Sequence, residues 1–390
     1  MVSLSADRLH LRLLKPSVKP ILLLAILSRL FVWILAFLSS YLLDDYDSAA
    51  DVLFQANSLL QKLFNLTFRA FLRWDAFYFL HLAEEGYVYE QEHAFFPVLP
   101  LVIRFFGNYV LWPLEWLLLK KQVLLLAGIL VSNFSFVCAT GMIYKLTLSI
   151  SNDHKFSLIT ALFYILTPSN IFMSSLYAES LFAVLSFMGM RWVMQGNFWK
   201  AALVWSVASG VRSNGITYIG FFVFELLKSH AGGCKHLIKK ILSTVLYSFV
   251  TLLGFIIFEI FGYYKYCHLH SPKRPWCDSY VPLNYSFIQK HYWSCGFLSY
   301  YEVKQIPNFL LASPMIALSL CGIYTYSNFD WQRILSLGLQ RTKPLVKDEN
   351  QPTVAKGKTV TSPYFNSKIL PFIYLWAVLL FYAITSMHVQ

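Results

Sequence analysis

Long apolar segments constrain this chain more than any other feature of its sequence. Eight of them lie between residue 21 and residue 388. The first, at 21–43, is long enough to cross about 30 Å of hydrocarbon, and it lacks the small-residue cleavage site of a signal peptide. We therefore predict an all-α polytopic membrane protein. The eight segments are 21–43, 122–146, 156–174, 177–195, 200–228, 241–264, 306–326 and 369–388.

Composition supports a lipid-facing chain. It is 57% hydrophobic and only 13% charged, whereas a soluble domain carries about a quarter charged residues. The net charge of +12 is carried by bases in short segments between the apolar runs, where they set topology. Since these bases form no stripe with a nucleic-acid readout fold, we exclude nucleic acid as a partner.

Basic residues orient the chain. Arg8, Arg12 and Lys15 precede the first apolar segment, so the N-terminus is predicted to be cytoplasmic. The acidic segment 44–95 then faces the lumen. The same topology places two glycosylation sequons, at Asn65 and Asn284, on the lumenal side.

This topology predicts eight regions. Within the first loop, residues 96–119 are interrupted by prolines and by Arg104, which favours interfacial or re-entrant helices. Residues 341–362 read as a flexible linker, and the chain stops directly after an apolar segment, as a truncated form would. The regions are a cytoplasmic N-terminus (1–20), a first transmembrane helix (21–43), a lumenal loop with the candidate active site and interfacial helices (44–121), a transmembrane bundle (122–264), a second lumenal loop (265–305), a transmembrane helix (306–326), a cytoplasmic loop (327–368) and a last transmembrane helix (369–390).

Asp75 is the leading candidate for chemistry. Its neighbours Trp74, Phe77 and Tyr78 would desolvate the carboxylate, which suits a general base. The alternative is an anchor at headgroup level, where tryptophan and tyrosine are enriched in any membrane protein. These residues alone leave both interpretations open.

Other acids are weaker candidates. Glu84 and Glu85 follow Asp75 by about two and a half helical turns, so one of them could share its face if the segment is helical, although a solvated loop face is the simpler expectation for both. Asp45 and Asp47 form a D-x-D pattern that can chelate a metal, but the pattern is short and common, and a solvated acidic run is the better explanation. Glu179 suits either a site or the first turn of a helix.

Arg212 lies with Asn214 inside the long apolar stretch 200–228, which we read as two short helices meeting at a polar turn. An arginine there is costly and usually faces a cavity or a partner, and its planar fork suits phosphate. A snorkelling arginine is the alternative. The loop from Tyr285 to Pro307 combines aromatic and polar side chains, which suit sugar binding or an interfacial belt.

The cysteines fall into different settings. Cys138 and Cys321 lie in apolar segments and read as inert core thiols. If the loop with Cys267 and Cys277 faces an oxidising lumen, the two can form a disulfide. A zinc site that includes His268 and His270 matches no standard spacing.

Several blocks of sequence together resemble one enzyme family. They are Arg73-Trp74-Asp75-Ala76, Ala94-Phe95-Phe96-Pro97, Tyr177-Ala178-Glu179-Ser180, Arg212-Ser213-Asn214-Gly215, Tyr285-Ser286-Phe287-Ile288-Gln289 and Tyr300-Tyr301-Glu302-Val303-Lys304-Gln305. In these blocks the chain resembles the second mannosyltransferase of glycosylphosphatidylinositol (GPI) anchor assembly. The family continues beyond His388-Val389-Gln390, so further C-terminal spans are expected to be missing from this form.

The resemblance implies a GT-C-type glycosyltransferase of the endoplasmic reticulum membrane, with a large first lumenal loop containing interfacial helices. It implies dolichyl-phosphate mannose as donor, a GPI-precursor glycolipid as acceptor and membrane lipids as surroundings, with a small membrane partner subunit left open. We expect no cofactor and no obligatory metal. Asp75 is the predicted catalytic base, and Arg212 or Lys304 supplies charge to the leaving phosphate. Contacts to substrate or donor are expected from Trp74, Glu84, Glu179, Arg212, Asn214, Gln289, Lys304 and Gln305.

Two other function classes are weighed. A lipid or solute transporter or scramblase would predict paired broken helices in two repeated halves, and the sequence shows no repeat. A non-catalytic subunit of a membrane glycosylation complex is the other alternative. The chain contains no nucleotide-binding or common hydrolase motif, so ATP-driven transport and hydrolysis are unsupported.

Overall fold

The computed structural model describes residues 18–43, 55–228, 234–269, 272–339 and 362–387, and every regular element in these ranges is a helix. The predictions for residues 1–17, the Asp45 and Asp47 pair, His270, the linker up to residue 361 and the last three residues lie outside the described ranges. The chain divides into two compact units. Unit 1 is Met1–Gly86 with Val98–Arg191, and unit 2 is Tyr87–Pro97 with Trp192–Gln390.

The described ranges contain five helices that are long and apolar enough to cross a membrane. This confirms the prediction of an all-α polytopic membrane protein. Two apolar helical stretches are shorter, at Val98–Val110 and Ser213–Leu227. The five candidate spans are Lys19–Leu42, Lys120–Ser151, Lys235–His268, Val303–Phe329 and Ser367–Ser386.

Unit 1 is built around one long central helix, α5. The first helix and α6 pack on it through a core that includes Ile21, Phe136 and Ile165. The helices of this unit are α1 (Lys19–Leu42), α2 (Leu59–Phe68), α3 (Asp75–Glu84), α4 (Val98–Phe105), α5 (Lys120–Ser151), α6 (His154–Ile165) and α7 (Glu179–Met194), whose last residues pass into unit 2.

Arg29 fastens α1 to the loop before α7. The guanidinium is buried in an otherwise apolar helix and lies 3.6 Å from the centre of the Phe136 ring. It donates to the carbonyl and side-chain oxygens of Asn170 and to the Ser174 hydroxyl, which is 2.9 Å away. A buried arginine is tolerated in an apolar span only when it is satisfied in this way. The loop 166–178 is therefore held in one place.

Prolines interrupt the helical structure of two apolar stretches. The region 96–119 forms α4, a π turn at Phe106–Val110 and a 3-10 turn at Trp112–Trp116, as its prolines and glycine suggest. The apolar segment 156–174 is helical only as far as Ile165. Pro168 disfavours helical backbone at the residue before it, so the segment turns there.

Unit 2 is organised around α10. Its Gly254 packs so closely on α8 that an added Cβ would lie 2.1 Å from the Ser206 carbonyl oxygen. The Ser209 hydroxyl also donates to the Thr251 carbonyl oxygen at 2.8 Å. Small residues permit such close approach of membrane helices. The helices are α8 (Phe198–Ser209), α9 (Ile219–Leu227), α10 (Cys234–Tyr263), α11 (Asn284–His291), α12 (Ile306–Phe329), α13 (Trp331–Leu335) and α14 (Leu370–Ser386).

The cysteine predictions have mixed outcomes. Cys267 and Cys277 form a disulfide, which confirms the expected pairing and rules out these thiols as zinc ligands in this structure. The prediction of core thiols is wrong for Cys321, which is exposed on α12. Cys138 is half-buried. Apolar sequence around a cysteine does not place it in the core, because a membrane helix turns one apolar face to lipid.

Candidate active site

The turn at Trp74 and Asp75 is strained. Trp74 precedes α3 with φ 47° and ψ −118°. Positive φ is uncommon for a residue with a Cβ and costs roughly 1–3 kcal/mol for a bulky side chain, so it persists only where the surroundings enforce it. Strain of this kind concentrates at functional sites.

An aromatic clamp formed by Trp74, Phe172 and Tyr177 enforces the turn. The Trp74 ring stacks on Phe172 with ring centres 5.8 Å apart, and Phe172 meets the edge of Tyr177 at 5.0 Å. The Tyr177 hydroxyl donates to the Arg73 carbonyl oxygen at 3.1 Å. The clamp therefore fixes the backbone on the N-terminal side of Asp75, while the Trp74 ring stays 61% exposed and accessible to a ligand.

Asp75 is the first residue of α3 and is half-buried. The N-terminal end of a helix stabilises negative charge. The helix itself is immobilised, because Ala76, Leu80 and Ala83 form a buried stripe along it. At its other end the Arg104 guanidinium donates to the carbonyl oxygen of Ala83 at 2.7 Å, among others. A half-buried carboxylate on a rigid helix can accept a proton from a bound hydroxyl group.

Arg73 adds a cation beside this carboxylate in sequence. Its side chain is half-buried, and burial lowers the pKa of Arg73 from 12.5. A guanidinium remains protonated despite such a shift. The turn thus carries a permanent cation, Arg73, and an acid, Asp75, immediately before and after Trp74 in the sequence.

Glu84 does not join Asp75. Nine residues along a helix correspond to a rotation of about 180°, so the two side chains point to opposite sides of α3. The Glu84 carboxylate lies 3.5 Å from the Lys121 ammonium instead. A common face for Asp75 and Glu84 is therefore wrong, and the simpler expectation of a solvated Glu84 does not hold either, since its side chain is 16% exposed and paired with Lys121.

Glu179 lies close to the clamp in sequence and structure. It is the first residue of α7 and directly follows the buried residues Tyr177 and Ala178. The hydrogen bond from Tyr177 to Arg73 therefore sets the segment that carries Glu179 against the segment that carries Asp75. The structure brings these two predicted blocks together.

In unit 2, a cavity of about 490 Å³ collects other predicted residues. We call it the Tyr285 cavity. Asn214 and Gln289 line it, and the Ser213 and Tyr285 hydroxyls are hydrogen-bonded at 3.0 Å. Phe96, from the first lumenal block, packs 5.2 Å from the Tyr285 ring. The remaining lining residues include Thr217, Phe255, Ser286, Cys295, Gly296, Phe297, Val378, Leu379, Tyr382, Ser386 and Met387.

Arg212 does not line this cavity, but it directly precedes the lining residue Ser213 and interacts electrostatically with Tyr285. It precedes the 3-10 turn Ser213–Tyr218, as the predicted polar turn between α8 and α9 requires. Gly215 permits the turn, since an added Cβ would lie 2.6 Å from the Ser209 backbone nitrogen. Burial raises the pKa of Tyr285 to about 12, and the nearby charge of Arg212 acts against that rise. The cavity therefore offers neutral hydroxyl groups and one guanidinium close by.

Lys304 and Gln305 do not line the cavity. The Lys304 ammonium lies 2.5 Å from the Glu302 carboxylate, and its side chain is 72% exposed. The Gln305 side-chain oxygen accepts from the Asn308 amide at 2.8 Å. The sequence block that contains them lies in the loop before α12, as predicted. It ends in a short turn that leads into α12, and neither side chain lines the cavity.

Both sequons are poorly placed for glycans. Asn284 is 1% exposed and its amide packs beside Gly262. Asn65 is half-buried on α2, where its side-chain oxygen accepts from the buried Gln122 amide at 2.6 Å. At Asn284 a glycan on the buried amide nitrogen would displace these contacts, so the structure argues against glycosylation of the folded chain there. At Asn65 half-burial restricts the space for a glycan, but the hydrogen-bonded oxygen is not the atom that would carry it.

Sequence reasoning missed a polar cluster around the buried Glu90 carboxylate, which we call the Glu90 cluster: Glu90, Arg274, Trp276 and Tyr292. Arg274 donates to both Glu90 oxygens, once at 2.8 Å. Trp276 and Tyr292 donate to the same carboxylate at 3.0 Å and 2.7 Å. The cluster ties the segment 87–97 to the loop 265–305. The disulfide beside Trp276 was the one sequence signal that pointed to an ordered loop here.

Metal ligands are not grouped in the described ranges, which contain no set of three or more His, Cys, Asp and Glu residues able to hold an ion. The D-x-D pattern at Asp45 lies outside those ranges. The prediction of no obligatory metal therefore stays a prediction.

The five candidate spans in the described, wholly helical ranges define a polytopic membrane protein, and the family that its sequence matches is a GT-C-type membrane glycosyltransferase. Residues 18–390 match the family described as "Mannosyltransferase (PIG-V)", and the chain belongs to that family. Membership confirms the predicted family and gives no support to the transporter or non-catalytic alternatives.

Curated relatives agree along most of the chain. The protein from Rattus norvegicus named "GPI alpha-1,6-mannosyltransferase 2" is 30% identical, over 97% of this chain and 81% of its own length. The Homo sapiens protein of the same name is 31% identical, over 96% and 80%. "GPI mannosyltransferase 2" of Schizosaccharomyces pombe is 34% identical, over 74% and 61%. No solved structure matches.

Proposed function

We propose that this protein transfers the second mannose, in α-1,6 linkage, from dolichyl-phosphate mannose to the GPI precursor in the lumen of the endoplasmic reticulum. The observation that carries the proposal is similarity over nearly the whole chain to relatives named "GPI alpha-1,6-mannosyltransferase 2"; the donor and the lumenal side come from the family resemblance. The strained turn at Asp75 supports it, because the turn places an acid of the first predicted lumenal loop at a rigid helix start.

Asp75 is the proposed catalytic base. The Asp75 carboxylate takes the proton from an acceptor hydroxyl, whose oxygen forms a bond to the anomeric carbon of mannose. The bond from that carbon to the phosphate oxygen breaks, and dolichyl phosphate leaves with its electron pair. Both substrates carry lipid tails, so a site at the membrane surface can bind their head groups while the tails stay in the bilayer.

Arg212 is the better of the two proposed cations for the leaving phosphate. It is half-buried beside the Tyr285 cavity, where a charge is less screened than in water. Lys304 is largely exposed and paired with Glu302, so its charge is partly neutralised. Arg212 can also bind two phosphate oxygens at once through its planar fork.

We further propose that the reaction needs no cofactor and no obligatory metal. The leaving group is a single lipid phosphate with less charge than a nucleotide diphosphate. One or two protein cations can neutralise it without chelation. Transfer that persists in the presence of a strong chelator would support this, and loss of transfer restored by a divalent cation would contradict it.

Lipid analysis of deficient cells tests the proposed step. Cells that lack the native enzyme should accumulate the GPI intermediate with one mannose, and expression of this chain should convert it to the two-mannose form. Accumulation of any other intermediate that this chain relieves would assign it to another step. Normal membrane insertion without relief would contradict the proposed activity.

A further inference from the structure

A second cavity in unit 2 lies at the other end of α10 from the Tyr285 cavity. It measures about 270 Å³, and we call it the Lys239 cavity. Lys239 and Phe255, which belong to the two cavities, are separated along the helix by about 24 Å. The residues that line the Lys239 cavity are Phe198, Phe222, Glu225, Leu226, His236, Lys239, Lys240, Ser243, Thr244 and Tyr247.

Polarity changes in order along the cavity wall. His236, Lys240, Ser243 and Tyr247 follow one another at intervals of three or four residues, which places them on one face of α10. Along about 16 Å of helix, this face runs from an imidazole and an ammonium group through a hydroxyl group to an aromatic ring. A phospholipid has the same order, from a charged phosphate through ester groups to an acyl chain.

The part of the cavity farthest from Lys239 along α10 is apolar and is lined by aromatic rings. Phe198, Phe222 and Tyr247 meet there, with ring centres 6.3 Å apart for the two phenylalanines and 5.4 Å apart for Phe222 and Tyr247. A free phosphate ion would gain nothing from this surface. An acyl chain would bury apolar area on it.

The charge near the N-terminal end of α10 favours binding of an anion in the cavity. Lys239 and Lys240 line the cavity, and α10 begins one to two turns before them, so its N-terminal end adds partial positive charge. The one acid of the lining, Glu225, lies 3.5 Å from the Lys228 ammonium, which offsets its charge. The cavity therefore has net positive charge at Lys239 and Lys240 and an apolar surface at its aromatic end.

The position of the Lys239 cavity on α10 favours a lipid headgroup over a free phosphate ion as the source of the anion. The span candidate Lys235–His268 contains most of the cavity wall, so the cationic end lies where a membrane helix begins, at headgroup depth. Basic pockets between helices at that depth bind anionic headgroups. We propose that the Lys239 cavity is a binding site for an anionic membrane phospholipid, with its phosphate at Lys239 and Lys240 and an acyl chain along Tyr247 and Phe222.

The test measures lipid binding by the purified full chain in detergent, by native mass spectrometry and by thermal stabilisation. The probes are phosphatidylserine, phosphatidylcholine and inorganic phosphate. Phosphatidylserine is chosen because an inositol lipid would resemble the proposed acceptor. The expected result is a Kd for phosphatidylserine at least about ten-fold lower than for phosphatidylcholine, as one charge-assisted contact provides.

Matched variants locate the site. Lys239→Gln with Lys240→Gln should abolish the preference for phosphatidylserine. Lys200→Gln with Lys235→Gln removes the same charge from exposed residues that do not line the cavity, and should retain it. The proposal is overturned if the first pair keeps the preference, if both pairs lose it equally, or if inorganic phosphate stabilises the protein as much as the lipid does.

Discussion

Glu90→Gln is the sharpest structural perturbation, because the Glu90 cluster depends on one carboxylate. Glu90 is 8% exposed and accepts hydrogen bonds from three side chains. Glutamine keeps the volume of the side chain, but it replaces one acceptor oxygen by an NH₂ group that would face other donors. The substitution therefore removes the negative charge and places an NH₂ group against the donors of the cluster, without creating a cavity.

The expected cost follows from the contacts. A hydrogen bond to a charged group contributes about 1.5–3 kcal/mol. The Arg274 side chain is 32% exposed, so solvent screens its share and the low end applies to it. Losing the negative charge and one of the two acceptor oxygens should lower the local stability by about 2–3 kcal/mol. At about 1.4 kcal/mol for each factor of ten, opening of the segment 87–97 should rise about 30- to 140-fold.

Hydrogen exchange measures this opening directly. The Phe95 amide donates to the Glu92 carbonyl oxygen at 2.9 Å and reports on the segment. Its exchange should accelerate by the stated factor in Glu90→Gln. Glu302→Gln disrupts an exposed ion pair in the same unit and should leave Phe95 unchanged. Exchange at Phe95 within two-fold of the wild-type rate in Glu90→Gln would refute the reasoning.

The cluster also predicts a pH dependence. Burial acts to raise the pKa of Glu90, but hydrogen bonds from Arg274, Trp276 and Tyr292 outweigh it and hold the pKa below 4.5. A carboxyl with a lowered folded pKa stabilises the fold fully above its unfolded pKa and loses that contribution as the pH falls through the folded value. The difference in protection between wild type and Glu90→Gln should stay constant above pH 5 and shrink below about pH 4.

Three further predictions use paired variants. Trp74→Ala should lower mannose transfer more than Trp74→Phe, since only phenylalanine retains ring stacking worth about 0.5–1.5 kcal/mol; equal transfer rates would contradict this. Arg212→Ala should reduce transfer about 10²-fold or more, whereas Lys304→Ala should stay near wild type in the same microsomal assay; the reverse order would favour Lys304 as the cation. Gly254→Ala should lower folded yield by overpacking, at about 1–3 kcal/mol, while Gly220→Ala, with nothing within 4 Å, should be neutral or stabilising when both are compared by size-exclusion chromatography.

Local sequence was sufficient where one apolar run decides the structure. The predicted first span at 21–43 and the observed helix Lys19–Leu42 differ by two residues at the start, because hydrophobic length sets such a helix. The turn after Arg212 was also predictable, since polar residues and a glycine interrupt an apolar stretch there. The same holds for the broken region 96–119.

Non-local contacts were beyond sequence reasoning. Tyr177 reaches the backbone of Arg73 across 104 residues, and Tyr292 reaches Glu90 across 202. Nothing in either neighbourhood specifies its distant partner. Lys304 does not line the Tyr285 cavity for the opposite reason, since its ion-pair partner Glu302 is only two residues away and the Lys304 side chain stays exposed.

The most direct test of the central claim is mannose transfer by Asp75→Asn. Microsomes from cells lacking the native enzyme would receive dolichyl-phosphate mannose and the one-mannose GPI acceptor, with variants matched for protein level. Asp278→Asn makes the same change at an exposed residue and serves as control. We predict that Asp75→Asn lowers kcat by about 10²–10⁴-fold with little change in KM, and that Asp278→Asn matches wild type. A wild-type kcat in Asp75→Asn would contradict Asp75 as the base.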